Sequence, residues 1–157
     1  MEFPERVYTV EEVQKARKLI EKGYKHRLRV KGSPEFKSKV KKALSLIRTA
    51  KHYDFLRTYI RRIIEIDGLT QLREDEASIW ASNYAVVDPV EAAGLFVQKA
   101  YQMKDYVEGR LYYDRGETKA VKKRIEFLEV LKGRSKSRAV KKKCEELLKS
   151  WTETTFP

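Results

Sequence analysis

The sequence predicts a single all-α domain over residues 1–157, with about seven helices forming a helical bundle or stacked antiparallel hairpins around a long central helix. Three observations lead there. The stretch from Asp88 to Asp114 reads as a helix with apolar residues on more than one side. Residues that cap helices recur along the chain, and seven glycines with four prolines leave little punctuation for a many-stranded sheet.

The central stretch opens Asp88-Pro89-Val90-Glu91, a cap carboxylate, a proline at the first helical position and a glutamate in the first turn. The next stop is Gly116, so a helix over about 89–113 is expected, roughly 37 Å long at the α-helical rise. Val90, Ala93, Val97, Ala100, Val107 and Leu111 form one stripe, and Phe96, Met103, Tyr106 and Tyr113 form a second. A helix of that kind is one around which others pack.

From the start of the chain, Thr9-Val10-Glu11-Glu12 is a capping box that begins a first helix, with Val13, Ala16, Leu19 and Ile20 inward and Gly23 ending it. In residues 24–32, Leu28 and Val30 alternate with cations, but with no second strand in evidence the stretch reads as a basic loop. Ser33 and Pro34 start a second helix, carried by Phe36, Val40, Ala43, Leu44 and Ile47 to about Ala50–His52. A third is expected from Tyr53 to Ile66 on the stripe Leu56, Tyr59, Ile60, Ile63, closed by Asp67-Gly68. Thr70 would cap a fourth, running to about Tyr84 with Leu72, Ile79 and Trp80 inward and Glu74-Asp75-Glu76 at its positive end. After the central helix, a sixth runs from about Glu117 to Lys132 and stops at Gly133; a seventh starts at Ser137, with Val140, Cys144, Leu147, Leu148 and Trp151 inward and a frayed tail over 152–157.

Charge is the main functional signal. The net +12 is divided as +11 over residues 1–62, −6 over 63–117 and +7 over 118–157. Two basic ends around an acidic middle suit a polyanionic partner, or a protein partner or self-association in which opposite charges meet. The bias toward Lys, Arg and Glu, with Asn83 the sole asparagine, suits a heat-adapted protein. The single Cys144 cannot form an internal disulfide, which makes a cytoplasmic setting the expectation, and no signal peptide or membrane span is expected.

Catalytic and cofactor motifs are weak. His26, His52 and Cys144 lack metal-ligand spacing, no phosphate-binding glycine loop occurs, and His52 beside Asp54 does not make a relay within a helix. Neither a metal nor a cofactor is expected. The reading is non-enzymatic binding of nucleic acid or another polyanion; a protein-assembly module is the alternative, and an enzyme acting on nucleic acid a third reading. Candidate binding residues are Tyr53, Arg57, Arg61 and Arg62, where guanidinium groups can fork onto phosphate and a ring can stack on a base. Lys122 and Lys123 join them from the sixth helix. The densest candidate is the turn from Lys132 to Lys143, seven cations in twelve residues with no acid, which supplies Arg134, Lys136, Arg138, Lys141, Lys142 and Lys143; of these Arg138, Lys141 and Lys142 crowd the positive end of the last helix, where an anion would relieve the repulsion.

Overall fold

The computed structural model describes residues 2–110 and 115–155 and corrects the all-α expectation. Among those residues the chain forms six α-helices and a four-stranded mixed sheet, an α/β arrangement. In order these are α1 (Val10–Glu21), β1 (Arg29–Lys31), α2 (Pro34–Thr49), α3 (Tyr53–Tyr59), β2 (Arg62–Glu65), β3 (Gln71–Arg73), β4 (Ser78–Ala81), α4 (Pro89–Val107), α5 (Arg115–Arg134) and α6 (Arg138–Thr155). The sheet order is β1-β2-β4-β3, with β1, β2 and β4 parallel and β3 antiparallel on the far edge.

Helix starts follow local chemistry. Glu12 Oε1 accepts from Thr9 N at 2.8 Å while Thr9 Oγ1 accepts from Glu12 N at 3.1 Å, closing the capping box. Ser33 Oγ accepts from Phe36 N at 3.1 Å and Asp88 Oδ1 from Glu91 N at 2.9 Å, each with proline next in line.

The second half of one expected helix and the whole of another are not α-helical. The third helix stops at Tyr59, Ile60 turns extended, and Arg62–Glu65 becomes β2. Ile60, Ile63, Ile64 and Ile66 are β-branched, and a strand between two neighbours packs them better than a helix does. The expected fourth helix, 70–84, is replaced by β3, a 3₁₀ turn at Glu74–Glu76, β4 and a second 3₁₀ turn at Tyr84–Val86. Leu72 and Ile79, seven apart, fit a helical stripe, yet they are direct cross-strand partners. Ala77 takes a left-handed conformation, φ 52°, to turn the chain between the two strands. The expected loop at 24–32 contains β1, whose partner β2 lies some thirty residues on.

The central helix forms but ends at Val107, with Gly109 at φ 76° just beyond; Leu111–Asp114, which hold the end of the expected helix and its residues Leu111 and Tyr113, lie outside the described residues. Gly133 does not stop α5, which runs on to Arg134. Helix α6 continues through Thr155 where fraying was expected from 152, and residues 156–157 lie outside the description.

One face of the sheet, through Ile63 and Ile79, joins the core with Phe36, Val40, Ile47, Phe96, Val97 and Met103; Val30 and Leu72 pack on its margin. Helix α4 is the hub, with α2, α3 and the α5–α6 pair packed around it. A polar seam crosses this packing. Arg124 Nη1 donates to Gln98 Oε1 at 3.0 Å, and Lys119 Nζ lies 3.7 Å from the buried Asp105 carboxylate. Gly94 makes room for it, since a Cβ there would stand 3.0 Å from Arg124 Nε.

Candidate nucleic-acid interface

Cations gather in two separate places. The first is the turn between α5 and α6. Ser135, buried, accepts from Ser137 N at 3.1 Å, and Ser137 Oγ in turn accepts from Val140 N at 3.2 Å, so two serines shape the turn and cap α6. Two of the seven cations are neutralised within the chain: Lys132 Nζ lies 3.4 Å from Glu145, and Lys143 Nζ 3.8 Å from Asp88. Arg134, Lys136, Arg138 and Lys142 are exposed and Lys141 half-buried; among the described residues none of these five is in an ion pair. Beside the turn is a mostly apolar cleft of about 290 Å³, where α2 supplies Lys42 and Leu46, α4 begins with Asp88, Pro89 and Val90, and α6 supplies Ala139, Val140 and Lys143.

The expected patch at 53–62 is divided by the fold. The Tyr53 ring lies against Arg48 at 4.0 Å and Arg57 at 5.9 Å, and Arg57 Nε donates to Asp54 at 3.0 Å. Arg61 is turned inward. It donates to the carbonyls of Pro4 at 2.6 Å and Glu5 at 3.0 Å and covers the Phe3 ring, which ties the N-terminal segment to the sheet; burial, then the neighbouring Arg62, lower its pKa. Arg62 starts β2 on the opposite face of the sheet. On α5, Lys123 pairs with Glu126 at 3.3 Å and lies over the Tyr101 ring, while Lys122 is exposed. The twelve predicted residues therefore do not form one surface.

The second gathering contains Arg62, which was expected to bind, but its other members were not read from the sequence. On the sheet face away from the core, register brings Arg29 opposite Arg62, Arg62 opposite Ser78 and Ser78 opposite Arg73. The next row is Lys31, Ile64, Trp80, Gln71. Arg29, Lys31 and Gln71 are exposed; Arg62, Ile64, Arg73 and Trp80 are half-buried. The Arg73 guanidinium stacks over the Trp80 ring at 4.3 Å, and the indole N–H is buried with no acceptor among the described residues. The only trace of this face in the sequence is the alternation Arg27-Leu28-Arg29-Val30-Lys31.

The remaining titratable groups have structural settings. His26, 2% exposed, is edge-on to Phe3 and Tyr24; burial first, then Arg61 and Arg62, push its pKa down to about 3. His52 Nδ1 is 2.8 Å from the Ala50 carbonyl and the ring is edge-on to Phe127, while the Asp54 carboxylate is engaged by Arg57, so the two make no relay. Cys144 is fully buried, and burial raises its thiol to about 11. Among the described residues no three His, Cys, Asp or Glu side chains gather as a metal ion would need, and no helix is long and apolar enough to cross a membrane.

Comparison with protein-family models, with curated proteins and with solved structures returns no match. What the chain can be assigned is a class of architecture: an α/β protein whose mixed sheet has one face on a helical core and one face lined with cations.

Proposed function

We propose that the protein binds nucleic acid through its phosphate backbone, without itself doing chemistry on it. The observation that carries this is the α5–α6 turn: five cations outside any intrachain ion pair among the described residues, gathered at the start of a helix whose first turn holds no acid. Cations at that end oppose the helix dipole, by a few tenths to about 1 kcal/mol each when exposed, and a phosphate among them reverses the sign of the local field. Contacts of this kind fix position on a backbone without reading bases.

The assembly alternative is less favoured, because the acidic middle is partly used inside the chain. Glu65 accepts from Ser33 N at 2.7 Å, Asp75 lies near Arg6 and Arg73, Asp88 near Lys143 and Asp105 near Lys119.

The test replaces Arg138, Lys141 and Lys142 together with glutamine. Melting temperature should hold or rise slightly, since like charges leave the helix start. Affinity for duplex DNA should fall, and the slope of log affinity against log salt should flatten by up to about 0.9 for each phosphate no longer engaged. Unchanged affinity and slope would remove the turn from the interface.

A further inference from the structure

We propose that the sheet face away from the core is a second site, one that takes single-stranded nucleic acid, with phosphates along the Arg29–Arg62–Arg73 row and a base stacked on the Arg73–Trp80 pair. This rests on the nucleic-acid reading above but concerns different residues and a different ligand form.

The first observation is an electrostatic conflict built into the sheet. Arg29 and Arg62 are direct cross-strand partners, and like charges so placed repel. Among the described residues neither is in an ion pair, and the nearest acid to Arg73, Asp75, is 3.9 Å away and shared with Arg6 at 3.8 Å. Arg73 thus has a long ion pair, and Arg62 shares a cleft with Glu5, Arg6, Asp75 and Glu76, but among the described residues neither Arg29 nor Arg62 is paired, and a row of cations on adjoining strands is complementary to a chain of phosphates. Three strand spacings of about 4.8 Å put Arg29 and Arg73 roughly 14 Å apart, and the residue between Arg62 and Arg73 in the row is the small, buried Ser78, which keeps the floor low there.

The second observation is the stacked pair one register step along. An arginine plane over an indole is an aromatic-cation platform, and bases stack on such planes when they are free of a duplex. The Trp80 N–H is a buried donor without an acceptor; buried tryptophan donors usually have one, and a base or phosphate oxygen would supply it once Arg73 shifts toward a phosphate. Ile64 beside it extends the apolar floor. A duplex keeps its base faces stacked inside, so it cannot use the platform, and without that anchor the cation row adds little to its binding; the site should favour the single strand.

The experiment uses Trp151→Phe protein, in which Trp80 is the remaining tryptophan, and follows its emission during titration with an oligothymidylate and with a duplex of equal length. The single strand should quench Trp80 and the duplex should leave it nearly unchanged. In the same background, Arg29→Gln with Arg62→Gln should lower single-strand affinity about tenfold or more while duplex affinity changes by less than about twofold. The triple glutamine variant of the α5–α6 turn should weaken the duplex and leave the quenching amplitude at saturation intact. Single-strand binding with no change at Trp80 and no loss in the Arg29/Arg62 variant would overturn this site and leave the backbone-binding reading standing. Absence of binding to both nucleic acids would overturn both.

Discussion

His26 gives the protein a defined weakness in mild acid. Its imidazole is buried beside Phe3 and Tyr24, two arginines, Arg61 and Arg62, repel a proton on it, and its Nε2 has no partner among the described residues. The pKa is about 3 in the folded chain against 6.5 in the unfolded one. Between those values the unfolded state binds a proton that the folded state refuses, so stability is complete above pH 6.5 and falls as pH drops. At pH 5 the unfolded state gains about 2 kcal/mol from this one group, a large share of a normal stability. The assay is urea unfolding of the unmodified protein and of His26→Leu at pH 7 and pH 5. Carboxylates titrate in both proteins, so the difference between the two isolates the histidine. The unmodified chain should lose about 2 kcal/mol more than the variant on going to pH 5. Equal losses would mean that His26 is accessible to protons in the folded state, and the buried aromatic cluster at the N-terminal segment would be misplaced.

Two further outcomes follow from the core and from the sheet. Val97, fully buried on α4, should not tolerate a carboxylate: Val97→Asp is expected to remove about 3 kcal/mol or more and lower the melting temperature by roughly 10 °C, as read by calorimetry, and an unchanged melting temperature would show that this face of α4 is outside the core. Arg61→Ala deletes two hydrogen bonds to the Pro4 and Glu5 carbonyls, so it should cost about 2 kcal/mol and speed hydrogen exchange in the N-terminal segment with nucleic-acid affinity unaltered; weakened affinity at full stability would return Arg61 to the interface.

What could be read directly from the residues was what depends on near neighbours. Thr9 with Glu12, Ser33 with Pro34, Asp88 with Pro89, and Ser137 each mark a helix start through interactions within a few residues. Strands of three or four residues carry no such signature. Leu56, Tyr59, Ile60 and Ile63 satisfy a helical spacing, yet Ile63 is decided by its neighbours Val30 and Ile79 on two other strands. The candidate sites divide along the same line. Arg138, Lys141 and Lys142 are close in the sequence and were legible as a cluster. Arg29, Arg62 and Arg73 become a row only through sheet register, and Arg61, which looked like part of a phosphate patch, is turned inward by the N-terminal segment it holds.

The central claim, that this chain binds nucleic acid through its phosphates, is tested most directly by titrating the unmodified protein with single-stranded DNA, RNA and duplex DNA at rising salt. Binding to at least one of them is expected at about 50 mM salt with a dissociation constant of about 10 μM or tighter, weakening along a linear log–log slope of several units. No binding to any of the three at low salt, or an affinity indifferent to salt, would contradict it.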